Sequence, residues 1–448
     1  MAISLAILAG DINTGRLLTE RSNPLHIPQE LVELIIDTLS YDAPSLNACS
    51  LTCKAWLHRS QYRLHRHLRF SDVKHLVSDP HRYLEPATAR YVYSLDLAAL
   101  PTTTSPCHCG ERVQAWDVIA RLTQVRRLTI RNLEDAATIT PFVPMVFPQV
   151  TELILGKAEF DSFAQFKSFF TSFTHLSRFQ LDEFDIFPWL SESEEEDISE
   201  DEDDYLEFPL LQHLTLSGRT LYSAELIDLA FWLRSELPGP YSLRSLTFRT
   251  WYGGRFGTMK AYLAACRRSL EVLELPMGAS EPNITRMNFA RFGFKRLARL
   301  HSISFVAAEN PWAIRQYTSD CVPLTLAQID SKSMSHIRFD FSPARGTYLA
   351  ALLDLHAVDH VLSQPPFANM RFADIICNRD QAHSRYTAER AIRKGLARTV
   401  QRGIVRLDFG DFLAPLIPVE AESSASRVNK NVLTDATFTA HSFCFPGV

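Results

Sequence analysis

This chain of 448 residues has no run of eighteen apolar residues, so it offers no stretch long enough to cross a bilayer as a helix. Glycine is scarce, 16 in all, and no P-loop, GxGxxG, GxSxG or HExxH pattern occurs. The familiar phosphate-cradling, nucleophile-elbow and zinc-hydrolase signatures are therefore missing, and no catalytic residue is expected. Eight cysteines, at 49, 53, 107, 109, 266, 321, 377 and 444, are scattered through apolar contexts without a disulfide framework, which fits a reducing compartment, cytoplasmic or nuclear. Met1 to Ala9 is apolar but lacks a basic start and is too short for a signal peptide, so residues 1–24 read as a loose terminus. The sequon Asn283-Ile284-Thr285 is of a kind expected by chance in a chain this long. A strong charge of one sign is also absent: the net charge is −5, and neither a nucleic acid nor a membrane is expected as a partner.

Metal and cofactor signals are equally thin. Cys107-His108-Cys109 cannot offer three ligands to one tetrahedral ion, and Cys49 and Cys53, one helical turn apart, have no second Cys/His pair at finger spacing. No metal and no cofactor are expected.

What is present begins at residue 27. Ile27-Pro28 opens a helix in which Leu31, Leu34, Ile35, Thr38 and Leu39 recur at helical spacing, with Pro28 early, where its missing N–H costs nothing. After Ser40-Tyr41-Asp42-Ala43-Pro44 a second helix, from about Ser45, carries Leu46, Cys49, Cys53, Trp56 and Leu57 at steps of three and four. A unit of about forty residues is at the edge of what folds unaided, and this one has more apolar surface than its own packing needs. The pattern Ile27-Pro28-x-Glu30-Leu31, Ile35-Ile36, Leu39, Leu46, Cys49-Ser50-Leu51-x-Cys53-Lys54-x-Trp56 resembles the F-box, and its Ala48-to-Trp56 part is similar to F-boxes of mushroom-type fungi. That resemblance, over residues 25–70, implies a Skp-type adaptor as partner and, through it, a cullin. The adaptor-facing positions it implies are Pro28, Leu31, Ile35, Leu46 and Leu51, with Leu34, Cys49, Cys53 and Trp56 in the unit's own core.

From residue 92 onward one six-residue pattern returns: apolar, two variable, apolar, one variable, apolar. Clear copies are Val125-Arg-Arg-Leu128-Thr-Ile130, Leu211-Gln-His-Leu214-Thr-Leu216 and Leu243-Arg-Ser-Leu246-Thr-Phe248; weaker ones include Phe367-x-x-Met370-x-Phe372 and Ile404-x-x-Leu407-x-Phe409. The fourth position falls at 95, 128, 153, 179, 214, 246, 273, 303, 337, 370 and 407, an average step of about 31 residues. Helical patterns lie between copies, such as Phe163, Phe166, Phe170, Phe173 and Leu226, Leu229, Leu233, Leu237. A conventional α/β domain shares the strand–helix alternation, but it does not need the repetition. The pattern resembles irregular leucine-rich repeats, without a reliable Asn after the strand. The fold expected is α/β: an N-terminal helical F-box, a linker over 71–90, a leucine-rich-repeat-like solenoid over 91–412 with parallel strands inside and helices outside, and a C-terminal tail or cap over 413–448.

Residues 191–204, SESEEEDISEDEDD, hold ten acidic residues and no basic one, and read as a disordered insertion. Ser191, Ser193 and Ser199 each have an acidic residue three places on, a setting for an acid-directed kinase. Taking this −10 from a chain of net −5 leaves the rest at about +5. Ala382 to Arg402 is a basic amphipathic helix, read as a solvated outer helix. The variable strand positions, expected on the concave face, supply the target-binding candidates Arg127, Arg131, Arg178, Asp182, Arg249, Arg338, Asp340 and Arg371. Their mixed signs suit a protein surface. The expected function is substrate recognition in a cullin–RING ubiquitin ligase of the SCF type, without catalysis by this chain and leading to ubiquitin-dependent degradation of a target that the sequence does not identify. The alternative is an interaction scaffold whose F-box recruits no ligase, and a hydrolase hidden in an irregular fold is a third class.

Overall fold

The computed structural model describes residues 27–40, 42–70, 86–98, 117, 119–133, 142–158, 160, 162–182, 211–217, 243–249, 256–277, 292–307, 318–341, 353–377, 385–409 and 413–415. The N-terminal stretch 1–24, most of the 71–90 linker, Cys107-His108-Cys109, the acidic run 191–204, the 226–237 helix, the sequon and the tail beyond 415 lie outside these residues. The chain divides into two compact units, Met1–His67 and Leu68–Val448.

The first unit is three helices, α1 (Gln29–Thr38), α2 (Ala43–Thr52) and α3 (Lys54–His65). The extended Pro28 places its carbonyl to accept the N–H groups of Leu31 and Val32, which starts α1. Asp42 starts α2: its carboxylate accepts the Ser45 N–H at 3.1 Å and the Ser45 hydroxyl at 2.6 Å, and Pro44 occupies the first turn, where no N–H is missed. Those two hydrogen bonds hold the Asp42 carboxyl below the usual range. Cys53 is extended (φ −161°, ψ 167°) and breaks what the spacing predicts as one helix into α2 and α3.

The second unit is one sheet of thirteen strands in chain order: β1 (His67–Phe70), β2 (Ser94–Leu97), β3 (Arg127–Leu133), β4 (Glu152–Ala158), β5 (Arg178–Asp182), β6 (His213–Leu216), β7 (Ser245–Phe248), β8 (Val272–Met277), β9 (Ser302–Ala307), β10 (His336–Asp340), β11 (Phe372–Ile376), β12 (Val405–Asp408) and β13 (Leu413–Pro415). Pairing is parallel from β2 through β12. Described helices of this unit are α4 (Pro86–Ala89), α5 (Phe142–Val146), α6 (Phe163–Thr171), α7 (Phe256–Ala265), α8 (Thr318–Leu326), α9 (Leu355–Leu362), α10 (Arg385–Gly395) and α11 (Ala397–Gln401). Each strand therefore pairs only with its neighbours in sequence, the arrangement of an α/β solenoid.

Alternation explains the packing. In β6, β7 and β12 every second residue is buried, and the apolar series Leu95, Leu128, Leu153, Phe179, Leu214, Leu246, Leu273, Ile303 and Ile337 lies in one rung, each 2% exposed or less. Phenylalanine fills the layer behind β4 and β5: Phe166 and Phe170 of α6 stand against Phe179, and Phe169 meets Phe173 edge to face at 5.2 Å.

The last two repeats depart from the spacing read in sequence. Ile337 pairs with Ala373, and Ala373 with Val405, so the rung positions are 373 and 405, not 370 and 407. Phe372, a core position by the sequence spacing, is 42% exposed on the opposite face, because Ala373 pairs with Ile337 and is the inward residue, 0% exposed. A slip of two keeps a strand's faces and a slip of three exchanges them.

Two backbone devices hold that end. Gly403 adopts φ 69° directly after α11, closing the helix in the left-handed conformation that leads into β12. Gly395 lets α10 approach α9 so closely that a Cβ there would overlap Leu355. The Asp359 carboxylate of α9 accepts the N–H (2.8 Å) and hydroxyl (2.6 Å) of Thr399 and the N–H of Arg398 (3.1 Å), capping α11 from a neighbouring repeat. Beyond β12, the short antiparallel β13 sets Pro415 opposite Arg406 and is the last strand among the described residues.

Candidate functional site

Two surfaces carry the side chains that the sequence singles out. On the helical unit, α1 has two apolar stripes about 100° apart, the angle of one residue step. Val32, Ile36 and Leu39 form the first, and with Leu46, Trp56 and Leu64 they make the unit's core. Leu31, Leu34 and Ile35 form the second, 51%, 60% and 44% exposed; Ile27, ahead of α1, and Leu51, on α2, are exposed as well. Behind this face an ion-pair clamp sets the angle of α1 on α3: Asp37 accepts from Arg59 Nε and Nη2 at 2.8 and 2.5 Å and from Arg63 Nε at 2.7 Å. Hydrogen bonds from Arg59 first and Arg63 second hold the Asp37 carboxyl well below the usual range, against the opposing effect of burial.

The second surface is the open face of the sheet, opposite the core. Register stacks its residues in rows: Arg127, Glu152, Arg178, His213 and Ser245 along one, Thr129, Ile154, Gln180, Thr215, Thr247 and Glu274 along the next. A shallow depression of about 250 Å³ opens there, lined by Glu152, Arg178, Phe179, Gln180, His213, Thr215 and Ser245. Burial lowers the His213 imidazole below its usual value, and the cations of Arg178 and Arg244 add to that effect. Further along, Arg338 pairs with Asp340 at 2.6 Å, and Arg406 grips Asp374 with Nε at 2.6 Å and Nη2 at 2.7 Å while lying over the Phe372 ring at 3.8 Å. Burial pushes the Asp374 carboxyl up, but hydrogen bonds from His336 and Arg406 outweigh it and hold it below the usual range. Glu274 is the reverse case: burial raises its carboxyl, and Arg249 and Arg338 only partly offset that.

One cluster has the connectivity of a nucleophile relay. Ser302 Oγ lies 3.3 Å from His336 Nδ1, and His336 Nε2 lies 2.8 Å from Asp374 Oδ2. Its surroundings do not serve acyl transfer. Ser302 is 8% exposed, its own N–H is committed to the Glu271 carbonyl, and Arg406 already neutralises Asp374. The relay is instead a hydrogen-bonded brace across β9, β10 and β11.

Among the sequence-derived positions, Pro28, Leu31, Ile35 and Leu51 are exposed on the helical unit, and Cys49 and Trp56 sit in or against its core. Three differ from expectation. Leu46 is 1% exposed and belongs to the core, because α2 turns it onto Val32 and Ile36. Leu34 lies on the exposed stripe, not in the core, and Cys53 is exposed because it forms the extended joint between α2 and α3. Of the strand candidates, Arg127, Arg131, Arg178, Asp182, Arg249, Arg338 and Asp340 share the open face, where Arg131 pairs with Asp96 at 3.1 Å and the Ser217 hydroxyl donates to Asp182. Arg371 does not: it lies in the turn before β11, since the three-residue slip moved it off the ladder. Sequence reasoning missed His336, Asp374 and Phe372, which only the parallel register of β10, β11 and β12 brings together.

No family model and no curated protein matches the chain. Among solved structures it is similar to the leucine-rich repeat-containing protein LegL7 from Legionella pneumophila, at 13% identity over 82% of this chain and 99% of that one, with a TM-score of 0.44. It is also similar to a chain in the complex of Rad7 and Elc1 in yeast, at 14% identity over 82% of this chain and 85% of that one, with a TM-score of 0.37. At these scores the likenesses carry no argument about function, and the assignment of a repeat fold rests on the strand ladder.

Proposed function

We propose that this chain is a non-catalytic substrate-recognition subunit of a cullin–RING ubiquitin ligase. In this reading α1 and α2 dock on a Skp-type adaptor, and the open face of the repeats holds a protein target. The observation that carries it is the second apolar stripe of α1, with Leu31, Leu34 and Ile35 left in solvent although the unit already has a core. Single exposed leucines are ordinary, but a contiguous apolar face on a unit this small is the signature of a partner. The contribution to chemistry is proximity: a target held beside the charged carrier meets it at high effective concentration.

The test is co-purification of the full chain with a Skp-type adaptor, with and without Leu31→Asp and Leu51→Asp together. Both positions are exposed, so the variant keeps its fold, and the expected result is loss of the adaptor because docking would bury two unpaired charges. Undiminished adaptor binding by that variant overturns the reading. If the adaptor binds but no protein changes in abundance or ubiquitination when residues 27–67 are deleted, the chain is a scaffold.

A further inference from the structure

On the open face, cations come with acids: Arg127 with Glu152, Arg131 with Asp96, Arg338 with Asp340, Arg406 with Asp374. The edge at which the chain enters the strands is different. The turn before β7 exposes Arg244, the turn before β8 exposes Arg267 and Arg268, and the turn before β9 exposes Lys295, Arg296 and Arg299. None of these six makes an ion pair among the described residues, and Lys332 before β10 and Arg371 before β11 continue the row. The described acids of these turns are Glu271, half-buried, and Asp330. Helix dipoles account for part of the pattern only. Arg267 and Arg268 follow the C-terminus of α7, but Lys295, Arg296 and Arg299 follow or belong to a three-residue turn of 3-10 helix, too short for a macrodipole.

We propose that this edge, from the turn before β7 to the turn before β11, binds a run of acidic residues in a partner polypeptide. Successive turns are about 4.8 Å apart, and an extended chain advances about 3.3 Å per residue, so an acidic run laid along the edge meets a cation at every turn. Arginine dominates the row, and its planar fork takes a carboxylate in two parallel hydrogen bonds. A single-stranded nucleic acid is the poorer fit, because no aromatic ring is exposed among the described residues of these turns to stack a base. The proposal is independent of the helical unit, and its test touches no residue there.

The probe is a fluorescein-labelled oligoglutamate of about ten residues, titrated with the full chain at about 0.05 M and about 0.3 M salt and followed by anisotropy. Binding at low salt that weakens at high salt is expected. The Arg267→Glu, Arg268→Glu, Arg296→Glu, Arg299→Glu variant should bind at least about tenfold more weakly. Should that variant lose its circular dichroism, the same four positions changed to Gln remove charge without reversing it and carry the test. Arg390→Glu, exposed on α10, should leave binding unchanged. Equal affinity in the four-site variant overturns the proposal, as does tighter binding of a single-stranded oligonucleotide of equal charge.

Discussion

The helical unit and the repeat unit spend their apolar residues in opposite ways. In the repeats, every rung position from Leu95 to Ile337 is buried to 2% or less, and what reaches solvent on the strands is mostly charged or polar. In the helical unit three buried residues, Val32, Ile36 and Leu46, form the core, while Leu31, Leu34, Ile35 and Leu51 stay in water. A repeat gains its stability from the repeat on either side and needs no further partner. The helical unit is no member of the strand ladder, and in the proposed function its exposed stripe is the adaptor-docking face.

Truncating one leucine in each unit breaks the comparison if it is wrong. Leu246→Ala, in a rung with no exposed surface, should cost about 2–5 kcal/mol by urea unfolding, since the stacked strands on both sides hold the cavity open. Leu34→Ala, 60% exposed, should stay within about 0.5 kcal/mol. Comparable losses at both positions would mean that the second stripe of α1 is part of a core.

The repeats were legible because one strand face is strictly apolar: nine of eleven rung positions read from spacing coincide with the parallel register, from Leu95 to Ile337. At β11 the inward residue is Ala373, too small to signal a core, and the aromatic Phe372 beside it drew the reading to the wrong face. On α1 both stripes are apolar, so periodicity identified a helix without telling which side faces in; Leu46 arriving from α2 decides it. The basic edge was invisible for another reason. Its residues come from turns with no common spacing, and only the ladder lines them up.

The clamp between α1 and α3 sharpens the contrast, because a unit with so few buried residues leans on it more. Asp37→Ala should cost about 1–3 kcal/mol, leaving Arg59 and Arg63 without their shared acceptor. Hydrogen bonds from Arg59 and Arg63 hold the folded carboxyl well below its ordinary value, so its contribution is full above about pH 5 and is lost progressively as pH falls from there toward the lower folded value. Hydrogen-exchange protection of peptides from α1 and α3, corrected for the intrinsic rate, should therefore fall between about pH 5 and about pH 3 in the parent and fall less in Asp37→Asn, where the Asp42 cap still titrates. Equal falls in the parent and in Asp37→Asn would show the clamp to be ornamental.

A last effect runs the other way and tests how completely the repeat core is apolar. Tyr262 of α7 is 1% exposed, its ring meets Phe248 edge to face at 6.2 Å, and its hydroxyl has no hydrogen-bond partner among the described residues. Burial raises that hydroxyl's pKa well above the ordinary tyrosine value, the mark of a polar group set in an apolar layer. A buried hydroxyl left unpaired costs about 1–3 kcal/mol, and replacing it by hydrogen changes the ring's shape little. Tyr262→Phe should therefore stabilise the repeat unit by about 1 kcal/mol in urea unfolding with an unchanged denaturant slope. Destabilisation instead would mean that the hydroxyl is satisfied, and that this layer, unlike the rungs in front of it, contains a polar anchor.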